Sequence, residues 1–444
     1  MKKIAILGGG ESGVGAAILA KKKGYEVWLS DAGSLKPRYK EMLEEHSIPY
    51  EEGGHTEERI LNADEVIKSP GIPPYAPLVK KITAKNIPVI SEIEFAARYT
   101  KARMVCISGS NGKTTTTLLI YHILRKAGMD VAVAGNVGRS MALQVAEGEH
   151  DVYVLELSSF QLENMYEFKA DVAVLLNITP DHLDRYDHKF ENYVAAKFRI
   201  LRNQTADDYF VYWDGDPVIA RQLEHLRLEQ HLLPFGEEHK EGAAAWVDGR
   251  MVEVSTPEDR WEIPRDELSL KGLHNLYNSM AAGVSASVLH VAPKVVKEAL
   301  ADFEAVEHRL EYVATVDGVR YVNDSKATNV NSTYYALESM TQPTVLILGG
   351  TDKGNDYSEI EPFVRAKVKA IVAMGIDNAK IVDYFSGIVP TVSTSSLADC
   401  IAECRRLAAE GDTVLLSPCC ASFDLFSSYV DRGNKFKEAV KALL

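Results

Sequence analysis

The sequence predicts an α/β protein built from about three domains. Short apolar runs that look like strands alternate with helical patterns along the whole chain. This alternation is typical of parallel sheets whose strands are joined by helical crossovers. The length of 444 residues suits about three domains of ordinary size. Two glycine-rich loops each follow an apolar run and precede a helical pattern, which favours ligand sites at the carboxyl ends of the strands.

The order of the predicted strands places the domain boundaries. The predicted strands are 3–7, 26–30, 65–68, 104–107, 152–157, 172–177, 344–348, 370–373 and 413–416. One boundary is predicted after the helical segment SEIEFAARY and another after VAPKVVKEALADF. The more polar segment 208–268 is predicted to carry a strand-rich insertion. The predicted domains are therefore 1–99, 100–305 and 306–444.

Composition and charge exclude several classes of protein. Hydrophobic residues make up 46% of the chain and charged residues 25%, as in ordinary globular proteins. A net charge of −14 disfavours nucleic acid and membranes as partners. The apolar run at the N-terminus is too short for a signal peptide or a membrane helix. Five cysteines without zinc spacing indicate buried thiols rather than a disulfide framework, which suits the cytoplasm. The protein is expected to be a monomer.

The first glycine-rich loop, GGGESG, follows the first predicted strand. Its G-x-G-x-x-G spacing lets backbone N–H groups and the start of the next helix cradle a diphosphate. Asp31 ends the second strand, at a distance along the chain that suits a ribose hydroxyl. The pattern leaves open an NAD-dependent dehydrogenase or a site for another diphosphate. The segment SPGIPP follows a later strand and either lines the same site or forms a proline-rich turn.

The segment MVCISGSNGKTTTT predicts a strand, a phosphate-binding loop and the start of a helix. Gly109 and Gly112 free backbone N–H groups for an anion. Lys113 is placed to reach the outer phosphates of a nucleotide, and the hydroxyl of Thr114 is placed to bind Mg²⁺. The usual pattern has another glycine at the position of Ile107, so the alternative is a glycine-rich turn with a surface lysine. Two anion sites in successive domains suggest that one holds a substrate tail and the other ATP.

Three further side chains accompany the next strands. Glu156 lies near the end of one strand, where a carboxylate can bind Mg²⁺ opposite Thr114. His182 follows the next strand beside Asp181; a lone histidine is often structural, but the neighbouring carboxylate favours a role in the site. Lys197 lies between apolar residues of a helical segment. Its spacing alone favours a buried stem with the amine reaching water.

Polar residues of the last third of the chain point to a second part of the site. The segment GLHNLYNSMAA places Asn275 and Asn278 on one helix face, where they either cap the helix or bind a nucleotide. Four loops at predicted strand ends carry side chains that suit a substrate with carboxylates. These side chains are Arg309, Asp324, Ser325, Lys326, Thr328, Lys353, Ser422 and Tyr429.

The motifs GSNGKTTT, ELSSFQLE, NITPDHLDRY, NDSKATN, LGGTDKG and LSPCCASFD together resemble those of the Mur ligase family. These are ATP-dependent enzymes that form the amide bonds of the peptidoglycan stem peptide. The resemblance covers nearly the whole chain, and GSNGKTTT is similar to the family's variant phosphate loop. It implies a Rossmann-like N-terminal domain, a P-loop ATPase-like central domain and a Rossmann-like C-terminal domain. The motifs are most similar to those of the member that joins D-glutamate to UDP-N-acetylmuramoyl-L-alanine.

The resemblance also implies a role for each matching residue. ATP would be bound by Gly109, Asn111, Gly112, Lys113, Thr114, Thr115, Asn278, Arg309 and Asp324. The UDP-substrate would be held by Glu11, Ser12, Asp31, Ser69, Asn136 and Ser158. D-Glutamate would be held by Thr328, Lys353, Ser422 and Tyr429. Mg²⁺ would be bound by Thr114, Glu156, His182 and Lys197, the last as a carbamate formed with CO₂. The residues expected to take part in the chemistry are Lys113, His182, Lys197 and Lys326.

The implied reaction begins with attack of the substrate's alanine carboxylate on the γ-phosphate of ATP, followed by attack of the D-glutamate amine on the acyl phosphate. The last domain is expected to close over ATP, which would bring Lys326 and Arg309 to the phosphates and exclude water. Three alternatives remain open. They are a ligase for another amino acid, including a folate polyglutamate ligase, a nicotinamide-dependent oxidoreductase, and a nucleotide-binding regulator without catalytic activity.

Overall fold

The computed structural model describes residues 1–304 and 307–444. They divide into two compact units, the first made of 1–268 and 277–302 and the second of 269–276 and 303–444. The strands of these residues form three sheets, and the α/β prediction is confirmed. The predicted boundary between residues 305 and 306 lies outside the described residues. The predicted boundary at residue 99 stays a prediction.

The first unit begins with a parallel sheet of five strands over residues 3–90, in the order β3-β2-β1-β4-β5. The strands β1 to β5 are Lys3–Leu7, Glu26–Ser30, Tyr50–Glu51, Glu65–Lys68 and Val89–Ile90. The helices α1 to α5 are Glu11–Lys22, Pro37–Glu45, Glu57–Ile60, Pro77–Ala84 and Glu92–Ala97. Helix α1 is rich in alanine and buries one continuous run from Gly13 to Ala20, because small side chains allow close packing on the sheet.

The second sheet of this unit has nine strands over residues 103–264, in the order β14-β13-β12-β11-β10-β9-β6-β8-β7. The strands β6 to β14 are Arg103–Ser108, Val131–Gly135, Val152–Glu156, Val172–Leu175, Tyr209–Trp213, His231–Phe235, Ala245–Asp248, Met251–Ser255 and Arg260–Pro264. The helices α6 to α12 are Lys113–Lys126, Met141–Glu147, Ser159–Leu162, Phe190–Phe198, Pro217–Leu223, Leu273–Ser287 and Pro293–Asp302. Residues 273–276 of α11 belong to the second unit and the rest of that helix to the first. The predicted strand-rich segment 208–268 continues this sheet, and its last three strands, β12 to β14, pair antiparallel with one another, whereas β12 pairs parallel with β11.

The second unit contains a sheet of six strands over residues 311–416, in the order β15-β16-β20-β17-β18-β19. Only β15 runs antiparallel to its neighbour among these strands. The strands β15 to β20 are Glu311–Val316, Val319–Asn323, Thr344–Leu348, Val368–Met374, Thr391–Thr394 and Thr413–Leu416. The helices α13 to α17 are Val330–Glu338, Glu361–Lys367, Ala379–Phe385, Leu397–Leu407 and Tyr429–Lys441.

Each predicted strand is present, although the predicted strands 152–157 and 172–177 end earlier, at Glu156 and Leu175. The residues that follow these two strands leave the sheet and form loops at its carboxyl edge. The five cysteines are buried free thiols, as their spacing indicated. Within the described residues, no helix combines the length and the apolar character needed to cross a membrane.

Candidate active site

The phosphate loop connects β6 to α6, as predicted. Gly112 is the N-cap of α6 and has a φ of +85°, a conformation that favours glycine. A Cβ at this position would lie 2.4 Å from Oδ1 of Asn278, so the loop and the asparagine are in close contact. Oδ1 of Asn278 also accepts a hydrogen bond of 3.1 Å from the hydroxyl of Thr116. Asn278 therefore contacts the phosphate loop and the first turn of α6. The alternative considered from the sequence was that it caps its own helix.

The loop is held in place by residues that follow β9. The backbone N–H of Asn111 donates to Oδ1 of Asn177 at 2.8 Å, and Nδ2 of Asn177 donates to the carbonyl of Asn111 at 3.1 Å. The hydroxyl of Ser110 donates to the carbonyl of Thr179 at 2.9 Å. Sequence reasoning did not assign this role to Asn177, because the pairing of the two loops depends on the strand order.

Lys113 begins α6 and lies over its own loop. Its Nζ donates to the carbonyls of Gly109 and Ser110, both at 2.8 Å. The first N–H groups of a helix and a lysine next to them form a site for anions. Thr115, in the same first turn, has a buried hydroxyl without a hydrogen-bond partner among the described residues. The donor set of this turn therefore fits phosphate oxygens.

Glu156, at the end of β8, joins two other predicted site residues. Only 2% of its surface is exposed. Its Oε2 accepts from the hydroxyl of Thr114 at 2.6 Å, and its Oε1 accepts from Nδ2 of Asn136 at 2.8 Å. A carboxylate and a hydroxyl are hard oxygen donors of the kind that Mg²⁺ prefers. The described residues contain no group of three or more His, Cys, Asp or Glu side chains suited to a metal, so this pair fits a cation that takes its other ligands from phosphates and water.

Lys197 is buried, and the expectation that its amine reaches water is wrong. Helix α9 turns this side chain toward the phosphate loop, where Nζ donates to the carbonyl of Gly109 at 2.7 Å. The amine lies 4.7 Å from the centre of the Tyr193 ring. Burial and the nearby positive charge of Lys113 lower the pKa of Lys197 well below its ordinary value of 10.5. The lowered pKa favours the neutral amine, which is the form that reacts with CO₂.

His182 lies in the loop after β9 with a φ of +53°. Its backbone N–H donates to Oδ1 of Asp181 at 2.9 Å, and its Nε2 lies 3.6 Å from Oδ2 of the same carboxylate. Its ring meets the ring of Phe160 edge to face, with centres 5.1 Å apart. With 44% of the side chain exposed, the imidazole is accessible to a substrate.

These loops enclose a cavity of about 360 Å³. Five of the predicted site residues line it, namely Lys113, Asn136, Ser158, His182 and Lys197. The other lining residues are Pro70, Gly71, Ser159, Phe160, Asp181 and Tyr193. The SPGIPP segment thus contributes Pro70 and Gly71 to the same cavity as Lys113 of the phosphate loop.

The glycine-rich loop before α1 is held by Asp31. Oδ2 of Asp31 accepts from the backbone N–H of Gly9 at 2.5 Å, and Oδ1 accepts from that of Gly33 at 2.7 Å. Both carboxylate oxygens thus bind the chain itself, whereas the dehydrogenase pattern needs this group for a ribose. Glu11 lies in the first turn of α1, and its Oε2 accepts from Nη2 of Arg38 and from the hydroxyl of Tyr39, both at 3.0 Å. The loop carrying Ser69 lies beside Gly8, since a Cβ on Gly8 would be 2.4 Å from the hydroxyl of Ser69. Ser12, also in the first turn of α1, is half-buried.

In the second unit, Asp324 and Arg309 line a small cavity of about 30 Å³ together with His274 and Asn275. Oδ2 of Asp324 accepts from the hydroxyl of Ser417 at 2.8 Å. Burial raises the pKa of Asp324 to about 7, although the charge of Arg309 opposes the rise. Burial also lowers the pKa of His274 to about 3, so this imidazole is neutral at physiological pH.

Ser325, Lys326, Thr328, Lys353 and Ser422 lie in loops at the carboxyl ends of β16, β17 and β20, as predicted, whereas Tyr429 is the first residue of α17 and the prediction of a loop for it is wrong. Ser422 is buried, Thr328 is half-buried and Lys353 is exposed. Nζ of Lys326 lies 5.6 Å from the centre of the Tyr429 ring. The loops of Lys353 and Ser422 are neighbours because Thr351 and Ala421 form an isolated antiparallel bridge.

Sequence reasoning missed Arg432, a fully buried residue of α17. Its guanidinium donates to Oγ and to the carbonyl of Ser325, at 3.0 and 2.9 Å, and to the carbonyl of Cys420 at 3.2 Å. It therefore joins the loop NDSKATN to the loop LSPCCASFD. Burial lowers its pKa to about 10, so it remains a cation at physiological pH. Its place in a polar helical segment gave no sign of this burial.

Three family models match the chain in sequence. They are the MurD N-terminal domain over residues 3–78, the Mur ligase middle domain over 107–286 and the Mur ligase glutamate ligase domain over 308–420. The UDP-N-acetylmuramoylalanine–D-glutamate ligase of Bacteroides thetaiotaomicron is 57% identical over 445 residues, and the match covers 100% of both chains. The enzyme of the same name from Porphyromonas gingivalis is 53% identical, with 98% of both chains covered.

Solved structures show the same fold at low identity. The UDP-N-acetylmuramate-alanine ligase MurC from Thermotoga maritima matches with a TM-score of 0.63 at 17% identity, covering 100% of both chains. The MurF ligase from Thermotoga maritima in complex with ADP matches with a TM-score of 0.60 at 15% identity, covering 96% of this chain and 98% of that one. With relatives this similar over its full length, the chain belongs to the Mur ligase family.

Proposed function

We propose that this protein is an ATP-dependent ligase that joins D-glutamate to UDP-N-acetylmuramoyl-L-alanine in the cytoplasmic stage of peptidoglycan synthesis. The observation that carries the proposal is the cavity that brings Lys113 and Lys197 to the bonded pair of Thr114 and Glu156. The names of the full-length relatives supply the identity of the two substrates.

The proposed reaction has two steps that share one phosphate loop. A carboxylate oxygen of the substrate's terminal alanine attacks the γ-phosphorus of ATP, the bond to the β-phosphate breaks, and an acyl phosphate and ADP form. The amine of D-glutamate then attacks the acyl carbon, loses a proton, and displaces inorganic phosphate. The first step is needed because a free carboxylate is a poor acyl donor, and phosphate is a good leaving group.

The first step brings two negatively charged groups together, so positive charge at the phosphate loop is essential. Lys113 and the N–H groups at the start of α6 supply it, and Lys113 would exchange its present carbonyl partners for phosphate oxygens. Thr114 and Glu156 would hold Mg²⁺ at the same place. A bound Mg²⁺ would further offset the charge of the phosphate oxygens.

Lys197 is proposed to carry a second function as a carbamate. Its neutral amine would form a bond to the carbon of CO₂ and release a proton, which converts a buried amine into an anion able to bind a cation. His182 is the proposed partner for a second Mg²⁺ and a candidate to accept the proton of the D-glutamate amine. The neighbouring Asp181 lies close enough to orient the imidazole, with its Oδ2 3.6 Å from Nε2 of His182.

The remaining site residues are assigned to the two other ligands as part of the proposal. Glu11, Ser12, Asp31, Ser69, Asn136 and Ser158 are proposed for the UDP-substrate. Asn278, Arg309 and Asp324 are proposed for ATP, and Thr328, Lys353, Ser422 and Tyr429 for D-glutamate, with Lys326 in the chemistry. The net charge of −14 is compatible with small anionic substrates, because local donors in the site, and not the surface as a whole, would bind them.

Phosphate release with a panel of amino acids tests the proposal. With UDP-N-acetylmuramoyl-L-alanine and MgATP present, we expect D-glutamate to start phosphate release, and L-glutamate, L-alanine and diaminopimelate to leave it at the background rate. Turnover with L-glutamate but not D-glutamate would assign the protein to another ligase. Binding of NAD(H) without consumption of ATP would favour the oxidoreductase alternative.

A further inference from the structure

Arg185 joins its own loop to the SPGIPP loop and to helix α8, and it has no role in the proposed chemistry. It ends the short 3₁₀ helix Leu183–Arg185, directly after His182, and its side chain is only 8% exposed. Its Nη1 donates to the carbonyl of Pro70 at 2.8 Å, and its Nη2 lies 3.4 Å from the carbonyl of Ile72. The segment that carries His182 and Arg185 is thus hydrogen-bonded to the SPGIPP loop.

The same guanidinium fixes the ring of Phe160. Its central carbon lies 3.8 Å from the centre of that ring, a distance at which a cation interacts favourably with an aromatic face. Phe160 in turn contacts the ring of His182. A continuous chain of contacts therefore runs from the SPGIPP loop through Arg185 and Phe160 to His182.

The SPGIPP loop needs this support for a chemical reason. Its three prolines have no backbone N–H, so the loop has few donors with which to hold itself. Lys68 supplies a second cation to the loop. Its Nζ donates to the carbonyl of Ile72 at 2.7 Å and to that of Ser69 at 3.3 Å. Glu163, 3.4 Å from Arg185, offsets part of the charge of the two neighbouring cations.

We propose that Arg185 is a positioning residue that sets the distance between the SPGIPP loop and the phosphate loop. Pro70 and Gly71 line the same cavity as Lys113 and His182, so a shift of their loop would move a substrate carboxylate relative to the phosphates. The inference rests on the proposed function, because it assumes that the SPGIPP loop faces the UDP-substrate. A misplacement of about 1 Å in such a reaction is enough to lower the rate about 10²-fold.

The test compares Arg185→Ala with Arg199→Ala. Arg199 is a matched control because it also donates to two backbone carbonyls, those of Leu162 and Met165, at 2.7 and 2.8 Å. Both arginines line the neighbouring cavity of about 900 Å³, but within the described part of the chain the guanidinium of Arg199 makes no hydrogen bond to the SPGIPP loop. We expect Arg185→Ala to lower kcat/KM for the UDP-substrate about 10²-fold, with the KM for ATP unchanged, and Arg199→Ala to retain wild-type kinetics.

Addition of guanidinium ion at millimolar concentration provides a readout that a merely structural role would not move. The cavity beside Arg185 is large enough to admit this ion, so we expect partial recovery of kcat/KM in Arg185→Ala and no gain in the wild type or in Arg199→Ala. Equal losses in the two alanine variants, or a loss in Arg185→Ala that guanidinium does not reverse, would overturn the proposal.

Arg185→Lys decides the question if the alanine variant does not fold. A lysine retains the charge but cannot reach two carbonyls with a planar fork. We therefore expect KM for the UDP-substrate to rise about tenfold, as for the loss of one charged hydrogen bond, and a wild-type KM would overturn the proposal. The wild-type protein separates failure of the proposed function from failure of the role proposed for Arg185. If the wild type shows no D-glutamate-dependent turnover, the proposed function itself is contradicted.

Discussion

Replacement of Lys113 by alanine is expected to lower D-glutamate-dependent phosphate release by about 10³-fold or more, the usual effect of removing a cation that stabilises a transferring phosphoryl group. The substrate carboxylate and the triphosphate repel each other, and no other lysine extends from the first turn of α6. Steady-state phosphate release at saturating ATP measures the loss. Binding of the UDP-substrate, measured by calorimetry, should remain close to that of the wild type.

Lys126→Ala is the matched control for this variant. Lys126 lies in the last turn of the same helix and pairs with Asp302 at the surface, so it is distant along the helix from the loop. We expect this variant to ligate at the wild-type rate. Ligation that survives in Lys113→Ala would contradict the assignment of the phosphate loop.

Removal of CO₂ from the assay is expected to lower the rate of ligation at least about 10²-fold, and Lys197→Ala is expected to lower it as much. The reason is that the carbamate would supply a ligand for a cation at the reacting phosphate. Burial and Lys113 lower the pKa of the Lys197 amine, which favours the neutral form that reacts with CO₂. Short carboxylates such as acetate should restore part of the activity of Lys197→Ala, since they replace the lost anion.

A ¹³C NMR spectrum recorded with labelled bicarbonate identifies the lysine that is modified. Lys68 is the matched control, because it is also buried and burial lowers its pKa to about 8. The carbamate signal should disappear in Lys197→Ala and persist in Lys68→Ala. Full activity in CO₂-free buffer, or a signal that disappears only in Lys68→Ala, would contradict the role proposed for Lys197.

The sequence was sufficient for the strands and for the phosphate loop, because both depend on local patterns. Apolar runs predict strands in a parallel sheet, and the glycines before Lys113 allow the left-handed conformation seen at Gly112. The motifs after β8 and β9 also placed Glu156 and His182 correctly at the carboxyl edge of the second sheet. Strand ends are predictable sites because parallel strands share one edge.

The sequence was insufficient for side chains whose roles depend on tertiary contacts. Lys197 looked like a lysine that reaches water, since helical spacing does not say which neighbour covers a given face. Arg185 and Arg432 bind backbone carbonyls of distant loops, and carbonyl acceptors carry no signature in the sequence. Asp31 has the position of a ribose ligand, yet its carboxylate binds two backbone N–H groups.

The transfer of an oxygen atom from substrate to phosphate tests the central claim most directly. UDP-N-acetylmuramoyl-L-alanine labelled with ¹⁸O in its carboxylate is incubated with the protein, MgATP and D-glutamate, and the released phosphate is analysed by mass spectrometry. Attack of the carboxylate on the γ-phosphorus predicts a single labelled oxygen in each phosphate. Phosphate that carries no label, released together with the ligated product, would contradict the acyl-phosphate route.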